Sequence, residues 1–111
     1  PVIKTGYIDK MQVTHDMVFS GETALSKKTL LSPSRIVTYA INEKDYDKTL
    51  LQKELIDPEK NVKLELWAYN PKQFSRDTNA DDISVVLSFK DTTDERIEEA
   101  IDDLQERRLQ N

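Results

Sequence analysis

A chain of 111 residues with 37% hydrophobic and 33% charged side chains fits one domain with a modest core, and its patterned apolar residues exclude a disordered polymer. The formal net charge of −5 opposes binding to phosphate backbones or anionic lipid surfaces. The absence of cysteine excludes a disulfide scaffold and points to a reducing, cytoplasmic setting.

No apolar run approaches the roughly 18 residues that span a bilayer, and Pro1 to Lys10 lacks the basic-then-apolar pattern of a signal peptide. From the N-terminus, Val2 to Ile8 carries β-branched residues and tyrosine and predicts a strand, with Gly6 as the site of a bulge. Met11 to Phe19 has apolar residues at neither a helical nor a strand period. Ser20 then predicts an N-cap, and Glu22, Ala24 and Leu25 begin a helix that stops near Ser32-Pro33. Arg35 to Ile41 predicts a second strand. A helix capped by Asn42 or Asp45 should follow, with Tyr46, Leu50, Leu51, Leu55 and Ile56 as its apolar stripe and Asp57-Pro58 as its end.

Val62 to Tyr69 alternates strictly, which places Val62, Leu64, Leu66 and Ala68 toward the core and Lys63, Glu65, Trp67 and Tyr69 on the other face. Asn70-Pro71 fits the start of one short helical turn over Lys72 to Arg76. Ile83, Val85, Leu87 and Phe89 alternate with Ser84, Val86 and Ser88 and predict a further strand. A last helix follows, capped by Thr92 or Thr93, with Ile97, Ala100, Ile101 and Leu104 on one stripe. The expected class is α/β or α+β: a small three- to four-stranded sheet with three main helices in alternating order, a single layer pair.

Several constellations bear on chemistry. His15-Asp16 has the composition of a base and its orienter, but adjacent residues point apart and no activated nucleophile accompanies them, so a surface loop is expected. One histidine and no cysteine leave no set for zinc. Asp45-Tyr46-Asp47 has the D-x-D spacing of a magnesium site, yet it stands where a helix cap is expected. With only two glycines there is no phosphate-cradling loop, and no cofactor is expected. Pro1 is the residue a tautomerase-like enzyme would use as base, although the chain lacks that superfamily's β-strand followed directly by an amphipathic helix near residues 9 to 25. Trp67, Tyr69 and Phe74 gather around Asn70-Pro71 as candidate partner anchors. From Asp94 to Arg108 the last helix carries seven acids against three arginines, and Glu98 and Asp102 lie on its candidate partner-binding face.

The segment Val18-Phe19-Ser20-Gly21-Glu22-Thr23-Ala24-Leu25, followed by Ile36-Val37-Thr38-Tyr39-Ala40, resembles part of the AbiEi-type antitoxins of bacterial abortive-infection (type IV toxin–antitoxin) systems. In that family a similar turn starts a helix in the C-terminal domain, after a winged-helix DNA-binding head. Lys27 and Lys28 depart from the family, which continues with an apolar residue and a His-Gly pair. The resemblance implies a domain that assists regulation or assembly rather than gripping DNA alone. Gly21 to Ser26 also resembles a G-G-T-A-L-S turn of the nucleotidyltransferase-like partner toxins. Glu22 replaces the second glycine, however, and Ile36 to Ile41 lacks the two aspartates that chemistry needs.

The sequence therefore predicts a single domain over residues 1–111, a fragment of a longer chain or a whole protein. Its expected function is that of a non-catalytic regulatory or protein-interaction domain, antitoxin-like. A small enzyme using Pro1, and an acidic inhibitor encoded by a phage or mobile element, are the alternatives. The expected partner is a protein or a second copy of the chain, without direct nucleic-acid contact by this domain alone and without a membrane.

Overall fold

Strict alternation between Asn61 and Trp67 builds the strand on which the rest of the molecule is assembled. The computed structural model describes residues 1–110. In chain order it forms β1 (Val2–Asp9), β2 (Val18–Phe19), α1 (Gly21–Lys28), β3 (Thr38–Asn42), β4 (Asn61–Trp67), α2 (Asp82–Ser88) and α3 (Glu95–Gln110). The strands form one mixed four-stranded sheet in the order β1-β4-β3-β2. β4 is antiparallel to β1 and parallel to β3, and β2 closes the far side antiparallel to β3. A mixed sheet with three helices places the chain in the α+β class.

Both faces of β4 are covered. Val62, Leu64 and Leu66 join Ile8, Met17 and Ile41 in a cluster capped by Val13, Tyr46 and Leu51. Trp67 points the other way, into a cluster with Val18, Ala40, Ala80 and the helix residues Leu25, Val85, Ile97 and Leu104. One face is thus roofed by helices and the other by connecting segments. Alternation alone assigns Lys63, Glu65 and Trp67 to an outer face, but the three helices pack over most of it and bury both Glu65 and Trp67. Ala68, assigned to the core from the same pattern, is exposed because β4 has ended by then.

The bulge lies between Val2 and Lys4 rather than at Gly6. Gly6 serves a different need: a Cβ there would stand 2.8 Å from Leu51 Cβ and 3.0 Å from the Gln52 carbonyl oxygen. That clearance lets the Leu51-Gln52 segment lie against β1, where Tyr7 and Gln52 exchange backbone bonds of 2.8 and 2.9 Å. At the opposite edge, Phe19 N donates to Thr78 O and Ala80 N donates to Phe19 O, each at 2.8 Å. Edge strands left bare invite pairing with other chains, and here connecting segments shield both edges locally.

Two elements differ in kind from the pattern-based expectation. Residues 43 to 56 form no long helix; they hold 3₁₀ turns at Glu43–Asp45 and Lys48–Leu50. The Asn42 and Asp47 side chains accept from Lys44 N and Thr49 N, a local bonding that competes with helix propagation. The bonds to Tyr7 then fix Gln52 against β1. Ile83 to Phe89 forms no strand; Ile83 to Ser88 belong to α2 and Phe89 is its C-cap, and the helix start is set by Asp81 Oδ2 accepting from Ser84 N at 3.1 Å. Packing of Val85 beneath the helix overrides the strand preference of its β-branched residues. Asn70-Pro71 opens a hydrogen-bonded turn, not a helical segment, with Asn70 Oδ1 accepting from Lys72 N and Pro71 buried.

α3 starts one or two residues later than Thr92 or Thr93 would place it. Asp94 Oδ1 accepts from Arg96 N at 2.9 Å, while the Thr92 hydroxyl accepts from Asp94 N. An aspartate at this position satisfies an orphan amide and complements the positive end of the helix. Desolvation pushes the Asp94 carboxyl up, but the bonds from Arg96 and the Arg96 charge outweigh it and hold its pKa below the ordinary 3.8. A depressed folded-state pKa stabilises the fold above the unfolded value, and that contribution is lost as pH falls through the folded one. Asp94→Ala should therefore be less stable than the native chain near neutrality, with the gap narrowing below pH 3.8. Urea unfolding at about pH 7 and about pH 3 measures both ends of that trend.

Among the described residues no helix is long and apolar enough to cross a membrane.

Candidate functional site

The helix-covered face of the sheet carries two concavities, and α1 and α2 border both of them. The first is a groove of about 670 Å³ between the turn after β4, α2 and the ends of α1 and α3. Its back wall is an aromatic ladder. Trp67 meets Tyr69 edge-to-face at 5.5 Å between centroids, and Tyr69 meets Phe74 in the same way at 6.3 Å. The ladder runs from inside to outside: Trp67 is wholly buried, Tyr69 is half-buried, and Phe74 is 59% exposed. The Tyr69 hydroxyl is fixed by the Ser84 hydroxyl at 2.6 Å.

α2 supplies the apolar lip. Ile83 and Leu87, one turn apart, are 53% and 50% exposed and line the groove with Phe74. Single exposed apolar side chains are ordinary, but three lining one groove are not. Lys28 from α1 and Arg108 from α3 flank the groove and converge on Asp82, the lysine through a direct ion pair and the arginine at 4.0 Å. Asp81 and Asn79 lie beside them with a different status. Their Oδ1 atoms are buried and receive no hydrogen bond from the described residues. A buried acceptor without a donor costs about 1–3 kcal/mol, and both atoms lie beneath the groove surface rather than open to it.

The residues expected to anchor a partner are therefore separated. Tyr69 and Phe74 come together in the groove. Trp67 does not serve as a surface anchor; it holds the ladder from below and donates Nε1 to Glu65 Oε1 at 3.1 Å. Glu98 and Asp102 are exposed on α3 but do not line the groove. The arginines of α3 are turned elsewhere: Arg96 toward Asp94 and Glu22, Arg107 toward Asp103 and the Lys28 carbonyl. Glu98 and Asp102 have no ion pair among the described residues. Ile83, Leu87, Asn79 and Asp81 were not legible as site residues, and the D-D-I-S cap signal at Asp81 is what would have revealed the helix that groups them.

The second concavity, of about 510 Å³, lies over the part of the sheet the helices leave open, between β1, β4 and the start of α1. At its edge is Glu65, 7% exposed on the central strand. Its Oε1 accepts from the Ser20 hydroxyl at 2.5 Å and from Trp67 Nε1. Ser20 stands where an N-cap was expected, but its hydroxyl is committed to Glu65 and makes no cap bond to α1. Gly21 follows with φ +56°, and a Cβ there would lie 3.3 Å from Thr38 Cγ2 and 3.7 Å from Glu65 Oε2. Ser20 N to Thr38 O (3.0 Å) and Thr38 N to Thr23 Oγ1 (2.9 Å) clamp the same turn onto β3.

The remaining candidates fall where their simpler readings place them. His15 and Asp16 are a solvent-exposed pair 3.6 Å apart. Asp47 caps Thr49, and those hydrogen bonds lower its carboxyl pKa. Pro1 lines neither concavity and accepts a backbone bond from Ala68 at 2.9 Å. Comparison with protein-family models, with curated proteins and with solved structures yields no match.

Proposed function

We propose that this chain is a non-catalytic protein-interaction domain of the regulatory, antitoxin-like kind, and that it engages its partner through the Tyr69–Phe74 groove. The observation that carries the reading is the apolar exposure gathered in one groove: Phe74, Ile83 and Leu87, flanked by the charged Lys28, Asp82 and Arg108. A partner segment with apolar side chains would cover Phe74, Ile83 and Leu87. The net charge of −5 also favours approach by a basic partner. The resemblance of the Val18 to Leu25 turn to that of AbiEi-type antitoxins agrees with a role in assembly.

A photocrosslinking residue placed at Phe74, in cells that naturally make the protein, should give one dominant adduct. The same group at Thr49, on the far 3₁₀ turn, should not. An adduct at twice the chain mass would make the partner a second copy. Indistinguishable patterns from the two positions would remove the groove from the account. Phe74→Ala should abolish the adducts of a crosslinker placed at Leu87 while changing stability little, because Phe74 is mostly exposed.

A further inference from the structure

The cavity beside Glu65 is independent of the groove and has its own chemistry. β4 presents Lys63 and Glu65 two residues apart on one face, so their Cα atoms lie roughly 6.6 Å apart. Both line the cavity. Yet neither is in an ion pair with the other or with any other described residue. The internal donors Ser20 and Trp67 both go to Glu65 Oε1, and Oε2, the oxygen nearest the bare Gly21 Cα, accepts no hydrogen bond from the described residues. The wall also holds Tyr7 and Thr5 of β1, register partners of Lys63 and Glu65, the apolar Val2, Ile36 and Phe89, and Glu22, whose carboxylate is already met by Arg96 at 3.7 Å.

A carboxylate and an ammonium held side by side but not joined are complementary to a ligand that carries both charges in the opposite order. We infer that the cavity binds a small zwitterion of the α-amino-acid class with an apolar side chain. The ligand ammonium meets Glu65 Oε2, its carboxylate meets Lys63 Nζ, and its side chain lies on Val2, Ile36 and Phe89. The volume of about 510 Å³ leaves room for such a ligand with accompanying water. Gly21 is the enabling residue, since any side chain there would stand over Oε2.

Calorimetric titration of the intact chain with L-leucine, L-leucine methyl ester and N-acetyl-L-leucine tests the inference without altering the protein. Saturable binding of L-leucine is expected, with each blocked analogue weaker by about tenfold or more, since each loses one charge contact. Glu65→Gln keeps the acceptor for Ser20 and Trp67, and Lys63→Met keeps the backbone bond to Val37 O. Each should weaken L-leucine binding by about tenfold or more while the far-UV spectrum is retained. Three results would overturn the inference: no saturable binding of L-leucine, a methyl ester or N-acetyl form that binds as tightly as the free amino acid, or undiminished affinity in both folded variants.

Discussion

Trp67→Ala is expected to lower the free energy of unfolding by about 3–5 kcal/mol, the range for removing a buried aromatic from a packed core. Trp67 is wholly buried and joins the sheet to residues from all three helices. Its loss also takes a hydrogen-bond donor from the buried Glu65 and the support from beneath Tyr69. Small domains have about 5–15 kcal/mol in total, so the variant should be close to the edge of folding. Equilibrium urea unfolding measures the change. Trp67→Phe should fall between the two, because it restores the ring but not the N–H. A change below about 1 kcal/mol for Trp67→Ala would mean the helices do not pack on this face as described.

Gly21→Ala is the second large effect. A left-handed backbone costs an alanine about 1–2 kcal/mol, and a methyl group 3.3 Å from Thr38 Cγ2 adds an overpacking cost of about 1–3 kcal/mol. The turn cannot relax freely, because Ser20 and Thr23 are bonded to Thr38 on β3. The expected loss is about 2–5 kcal/mol, a fall in melting temperature of about 10 °C or more for a domain of this size. Glu22→Ala, one residue on and partly exposed, is the control and should change stability by less than about 0.5 kcal/mol. Equal effects at the two positions would contradict the role given to Gly21.

β1 and β3 were legible from their β-branched and aromatic residues, β4 and α3 from a single dominant period, and α1 from the start signal at Ser20 to Glu22. The elements that were not legible fail for identifiable reasons. In α2 the apolar residues are divided between the core (Val85) and the groove (Ile83, Leu87), so the helix shows apolar character on opposite sides and mimics a strand. The confusion arises at the groove itself, where apolar residues remain on the surface. Between Asn42 and Gln52 the leucines imitate a helical stripe, but Leu50 is 55% exposed and the Asx caps divide the segment into separate turns. β2 has only two residues and no periodicity to show. Glu65 was the least accessible feature. In the alternation of β4 it reads as an outward charge, and only the placement of Ser20 and Trp67 shows that it is held inside.

Tyr69 and Phe74 were readable as a pair because they flank a proline turn, whereas the orphan acceptors at Asn79 and Asp81 depend wholly on tertiary burial. The acids of α3 were readable by count but not by consequence. Their outward face shows no ion pairs for Glu98 or Asp102 among the described residues, and the exposed Leu109 shares their stripe two turns on; the acids themselves fit a role in steering a basic partner rather than anchoring it.

The most direct test of the groove is the affinity of the partner captured at Phe74 for the native chain and for Leu87→Asp, with Asp102→Lys on α3 as the comparison. Leu87 is half exposed and outside the core clusters, so its replacement should leave the fold intact. Leu87→Asp is predicted to weaken binding by about a hundredfold, as for a desolvated anchor. Asp102→Lys should slow association by less than about tenfold, the signature of a rim charge. Undiminished affinity in Leu87→Asp, with the larger loss in Asp102→Lys, would contradict the account and move the interface to the acidic face of α3.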